Sequence, residues 1–95
     1  MIYELIVSTL SDFDIKRKIV TWEKSLGDWI EKGSTVLVIE FDKADVDIES
    51  FHSGYLASIL VPAGNSISSG QTVALIAETE AEIPEAQKRS KHFLK

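Results

Sequence analysis

The chain has 95 residues, 44% of them apolar and 26% charged, with a formal net charge of −5 and no cysteine. That length fits one small core and not two. The composition excludes disulfides and thiolate-metal sites, and the missing basic excess argues against nucleic acid as a partner. No apolar run reaches membrane-spanning length, and Met1-Ile2-Tyr3-Glu4 lacks the basic-then-apolar start of a secretion signal. Neither a membrane nor export is expected, and a reducing aqueous compartment is the default.

Ile2 to Val7, rich in β-branched and aromatic residues, predicts a first strand. Ser8 to Arg17, with Asp12, Phe13 and Asp14 inside it, reads as an irregular surface loop. Lys18 to Trp22 is a second strand, Ser25-Leu26-Gly27-Asp28 a turn, and Trp29 to Ser34 a short segment ending in another turn. Thr35 to Glu40 is a strand running into Lys43, and Asp45 to Ser50 leaves it, with Val46 and Ile48 alternating against Asp45, Asp47 and Glu49. A lysine between two such runs is the exposed tip of a hairpin. Glu40, Asp42, Asp45, Asp47 and Glu49 surround it, whereas a nucleophilic lysine needs desolvation or cationic neighbours. Lys43 is therefore expected to be modified by another protein, or to be simply a solvated lysine paired with Asp42 or Asp45. The acids lack calcium-loop spacing and alternate between faces, so a solvated edge that deters sheet aggregation is preferred to a metal site.

The second half repeats the first. Gly54 to Val61 is strand, Pro62 to Asn65 turn, Ile67 to Gly70 a short segment, and Gln71 to Ala77 a last strand. Shifting residues 19–40 by 37 positions places Gly27 on Gly64, Ile30 on Ile67, Gly33 on Gly70, Thr35 on Thr72, Val36 on Val73 and Ile39 on Ile76. Six identities in 22 positions compares with about one expected from ordinary residue usage. Two copies cannot make a solenoid, so the expected architecture is all-β, with two antiparallel sheets packed face to face about a pseudo-twofold axis. Residues 1–80 are expected to form this domain. Residues 81–95, acidic and then mixed-charge with Pro84 interrupting, read as a polar tail or the start of a linker.

Gly27-Asp28-Trp29-Ile30-Glu31-Lys32-Gly33, then Glu40-x-Asp42-Lys43-Ala44, Val46-x-Ile48-Glu49-Ser50, Gly54-Tyr55-Leu56, Pro62-x-Gly64 and Gly70-Gln71 together resemble the lipoyl domain of 2-oxo acid dehydrogenase complexes. More narrowly, Asp42-Lys43-Ala44-Asp45, Glu49-Ser50-Phe51 and Ala77 to Ile83 resemble the acyltransferase component of cyanobacterial and plastid pyruvate dehydrogenase. The resemblance covers about residues 18–83. It implies a barrel-sandwich hybrid, a flattened barrel of two four-stranded sheets, and lipoate joined covalently to Lys43 by a lipoate ligase or lipoyl transferase. That enzyme's recognition favours a glutamate three residues before the lysine and a glycine sixteen before it, which are Glu40 and Gly27; Asp42 and Ala44 shape the hairpin. Related biotin carriers flank their lysine with methionines, and here Met1 is the sole methionine.

The implied function is that of a tethered carrier with no chemistry of its own. It would shuttle acyl groups and reducing equivalents among a thiamine-diphosphate 2-oxo acid decarboxylase, an acyltransferase core and dihydrolipoyl dehydrogenase, with pyruvate the expected substrate. Bacterial cytoplasm and plastid stroma are equally compatible. The departures lie in the first seventeen residues, where the family's Met-Pro-x-Leu stretch is absent and Lys16-Arg17 reverses the local charge, and at Phe41, an apolar ring where the family has Ser or Thr. Asp12, Phe13, Asp14 and Phe41 are therefore the candidate partner surface. They also define the alternative, a lipoyl-like module that has lost carrier activity and serves in assembly. His52 and His92 are assigned no role, and Trp22 and Trp29 are read as core and half-exposed packing residues.

Overall fold

Alternating buried and exposed side chains build eight strands among the described residues, in a computed structural model that covers residues 1–7, 17–68 and 70–93. The strands are β1 (Ile2–Ile6), β2 (Arg17–Trp22), β3 (Trp29–Ile30), β4 (Thr35–Phe41), β5 (Ala44–Glu49), β6 (Gly54–Ile59), β7 (Ser66–Ile67) and β8 (Thr72–Ala77). They form two four-stranded sheets, ordered β1-β8-β6-β3 and β5-β4-β2-β7, with every pairing antiparallel. Ile19, Leu37, Ile39, Leu56 and Leu75 are essentially fully buried members of one apolar cluster. This is the expected flattened barrel-sandwich.

The repeat is a repeat of register as well as of sequence. Ile19 opposite Ile39 in one sheet answers Leu56 opposite Ile76 in the other, and the bulge between Ile19 and Thr21 recurs between Leu56 and Ser58. Likewise Val46 opposite Ile39 answers Tyr3 opposite Ile76. The closure of the β4–β5 hairpin therefore has a counterpart where β8 meets β1. No turn joins the strands there; the Glu78 N–H donates to the Met1 carbonyl at 2.9 Å instead. The two closures lie at opposite ends of the molecule. β5 runs six residues away from Lys43, roughly 20 Å at strand rise. The chain then reaches Gly54, beside Tyr55, which pairs with Ala77 next to Ile2.

Within the expected tail, residues up to Ser90 depart from expectation. A 3-10 turn (Glu80–Glu82) leads into helix α1 (Ile83–Ser90), so over that span the polar-tail reading is corrected. The physical reason is a stripe the polar composition hides: Ile83, Ala86 and Ser90 fall on one helical face, and Ala86 and Ser90 are buried. Pro84 does not interrupt the helix, because it occupies the first turn, where a missing N–H costs no hydrogen bond. Thr79 supplies the start signal, its N–H and hydroxyl both donating to Glu82 Oε1 at 3.1 and 3.0 Å. The helix lies against β6 and β8, where Gln87 Nε2 donates to the Ala57 carbonyl at 3.4 Å. Five consecutive β8 residues, Val73 to Ala77, are buried, which an alternating strand achieves only when both of its faces are covered.

Two outcomes follow from this packing. Ala86→Glu places a charge under α1 and is expected to cost about 1–3 kcal/mol in urea unfolding. Backbone amides of 85–90 should lose exchange protection while those of β4 keep it. At the β1–β8 closure, Tyr3 donates its hydroxyl to Glu78 Oε2 at 3.0 Å. This bond, then burial and the charges of Glu78 and Glu82, raise the Tyr3 phenol above its ordinary range. A raised folded value means that the stabilisation is complete below the ordinary phenol pKa and is lost as pH rises through the folded one. Phenolate absorbance should show Tyr3 ionising late, and Glu78→Gln should bring that step down.

Candidate functional site

Phe41 and Ala44 are the last paired residues of the β4–β5 hairpin, leaving only Asp42 and Lys43 to reverse the chain. Both have positive φ, +50° and +66°, the signature of a type I′ turn, whose twist matches that of its flanking strands. Asp tolerates this region; Lys does not, and left-handed non-glycine residues cost of order 1–3 kcal/mol each. A lysine thus stands where glycine would be favoured, held by the strands on either side. Its side chain is exposed, and among the described residues no ion pair ties it to Asp42 or Asp45.

The hairpin's base is as firm as its tip is open. Phe41 pairs with Arg17 across β2, and the guanidinium carbon sits 5.4 Å from the Phe41 ring centroid. Arg17 is only 4% exposed, and Phe41 is half-buried against the core. Two expectations change accordingly. Phe41 is not a free apolar ring at the tip, and Arg17 belongs to β2 rather than to the preceding surface loop, so its charge is not displayed there. Alternation could have revealed this, since Arg17 shares a strand face with the buried Ile19. Glu40, exposed, lies between Lys18 of β2 and Asp45 of β5 in register, an attractive cross-strand pair on one side and a repulsive one on the other.

β5 is an edge strand, and its Asp45, Asp47 and Glu49 are all exposed, as the solvated-edge reading requires. No group of three acids and histidines poised for a metal occurs among the described residues. Gly27 lies apart from the lysine hairpin in the pairing: its N–H donates to the Leu56 carbonyl at 2.9 Å, on the sheet that does not carry Lys43. Its φ is +90° and an added Cβ would meet nothing within 4 Å, so conformation alone calls for glycine there. The structure thus unites Lys43 with Glu40, Asp42 and Ala44 in one hairpin and leaves Gly27 in a turn of the other sheet. Asp12, Phe13 and Asp14 lie outside the described residues.

The barrel-sandwich strains its backbone to hold Lys43 at an open tip. The sequence profile of the family described as "Biotin-requiring enzyme", the biotinyl/lipoyl-attachment family, matches residues 4–76. The chain belongs to that family. It is 46% identical over 89 residues to the dihydrolipoyllysine-residue acetyltransferase component 5 of the chloroplastic pyruvate dehydrogenase complex of Arabidopsis thaliana. That match covers 94% of this chain but only 19% of the relative, so the chain spans about a fifth of its length. In fold it is similar to the lipoyl domain of the 2-oxoglutarate dehydrogenase complex of Azotobacter vinelandii, with TM-score 0.66 and 21% identity over 79% of this chain and 95% of that one. It is also similar to part of Kluyveromyces lactis urea carboxylase, with TM-score 0.61 and 26% identity over 79% of this chain and 7% of that one.

If Lys43 is retained against conformational preference, replacing Asp42-Lys43 by Asn-Gly should stabilise the fold by about 1–2 kcal/mol, read as a higher urea midpoint at unchanged slope. An unchanged midpoint would mean that the turn is unstrained.

Proposed function

We propose that Lys43 carries lipoate in amide linkage, and that the domain serves a 2-oxo acid dehydrogenase complex, with pyruvate as the substrate that feeds it. The observation that carries this reading is Lys43 itself, exposed at a positive-φ turn in a chain of the lipoyl-attachment family. The residues fit the group. The ε-amine is solvent-facing and outside any ion pair with its acidic neighbours, so acylation removes a charge without dismantling a contact. Bound there, lipoate would supply a dithiolane that takes up an acyl group together with two electrons.

The chain's own residues hold and present. Arg17 and Phe41 fix the hairpin base against the core, so the tip keeps its direction while the lysine side chain stays free. Glu40, Asp42 and Ala44 form the surface that a lipoate ligase or lipoyl transferase would read, with Gly27 shaping a turn elsewhere. Asp45, Asp47 and Glu49 line the exposed edge leading away from it, an acidic strip suited to discriminating among partners. The partners of this reading are a thiamine-diphosphate decarboxylase, an acyltransferase core and dihydrolipoyl dehydrogenase. The chloroplastic relative supports pyruvate and a plastid setting. Lipoate is favoured over biotin by Glu40 three residues before the lysine and by the lack of flanking methionines. An assembly module built on Phe41 is the weaker reading, because that ring packs inward.

Intact mass after incubation with lipoate, ATP and a lipoate ligase provides the test. One lipoyl adduct is expected on the wild-type chain and none on Lys43→Arg, with Glu40→Gln slowing the reaction. An adduct that survives Lys43→Arg, or no adduct on the folded wild type with cognate ligases, would sink the proposal.

A further inference from the structure

Away from the lysine, at the seam where the end of edge strand β1 approaches the far end of edge strand β5, two adjoining depressions of about 210 and 290 Å³ share Ile6 and Phe51 in their walls. Their floor is apolar, from Leu5, Val7, Ile48 and Ile76, and Glu4, Asp47 and Glu49 stand around it. Phe51 is 73% exposed and Ile6 39%, although buried apolar residues lie close by. The phenylalanine is held outward by its neighbours. The buried Ser50 hydroxyl donates to the His52 carbonyl at 2.6 Å and accepts the His52 N–H at 3.2 Å. The His52 ring stacks on Tyr3 with centroids 3.7 Å apart and planes within 5°. Both flanking residues are pinned, so the turn cannot fold Phe51 inward without breaking these contacts.

Among the described residues no strand pairs with the outer edge of β5 beside this groove. In a two-residue hairpin the residues flanking the turn exchange both hydrogen bonds, and bonded and unbonded pairs alternate from there. Ala44 therefore bonds to Phe41, whereas Asp45 and Asp47 turn their N–H and C=O groups outward from the sheet edge. Such an edge accepts an added strand, and its carboxylates repel a second acidic chain while attracting a basic one. Glu4 is fixed for this role by the Thr72 hydroxyl, which donates to its Oε1 at 2.6 Å.

We infer that the β1–β5 seam is a docking groove for an extended segment of a partner protein, bearing one large apolar side chain between lysines or arginines. The apolar residue sits against Phe51 and Ile6, and its basic neighbours face Glu4, Asp47 and Glu49. Asp47 is four residues from Lys43, about 13 Å along the strand, so a partner held here grips the flank and leaves the tip open. This goes beyond the lipoyl reading and does not rest on it.

A fluorescein-labelled peptide with leucine at the centre of alternating lysines and threonines is the probe, read by anisotropy on the unmodified domain. Binding is expected to weaken with added salt, to be absent for the glutamate-for-lysine peptide, and to shift the amide resonances of Ile6, Asp47 and Phe51. Phe51→Ser, whose urea midpoint should match wild type, is expected to weaken it about tenfold or more. Leu26→Ser, at an apolar residue 60% exposed elsewhere, should leave it unchanged. No binding, equal binding by Phe51→Ser, or shifts centred on Leu26 and Trp29 would overturn the inference. So would self-association of the domain that Phe51→Ser abolishes, since the groove would then belong to a second copy. Lys43→Arg should bind the peptide as wild type does, which separates failure here from failure of lipoylation.

Discussion

Phe41 and Ala44 face each other with two residues between them, and that closure governs everything the hairpin does. A two-residue connection with the twist of its strands forces both linking residues to positive φ. The side chains there are thrown clear of both sheets, so Lys43 is presented by geometry rather than by a flexible loop. The strain is borne by neighbours. β4 is a central strand paired on both sides, with β2 and with β5, and Arg17 closes over Phe41 where the first pairing ends.

Around that closure the molecule separates rigidity from reach. The fully buried cluster lies behind the hairpin, while β5 offers acids to solvent along its whole length. Those acids do two things at once. They keep an unpaired edge from joining another copy, and they give the edge a sign that a partner can recognise. The second sheet is treated differently. Its β8 is buried on both faces because α1 covers the side that the core does not.

Much of this was legible in the sequence because alternation and turn chemistry act locally. Gly27, Gly33, Gly64 and Gly70, spaced identically in the two halves, all have positive φ, and the strands between them follow. Lys43 at a hairpin tip was readable for the same reason, with apolar runs on each side and no room for more than a turn. What escaped depends on long-range packing. Arg17 reads as a loop cation until β2 is seen to start there with its face turned inward. Helix α1 reads as polar because only Ile83, Ala86 and Ser90 on one face need to be buried, although Thr79-x-x-Glu82 announces the 3-10 turn that leads into it. The stack of His52 on Tyr3 joins residues 49 positions apart and has no local signal.

The equivalence of the two closures has a consequence for what such a duplicated barrel can become. Each half ends in a pair of strands awaiting a link. In one sheet the link is Asp42-Lys43; in the other the gap between Glu78 and Met1 is where the described chain enters the sheet and leaves it. Within the described residues one pole is closed by a covalent turn and the other by a hydrogen bond between Glu78 and Met1, so chain connectivity alone makes a nearly symmetric fold present a single lysine tip.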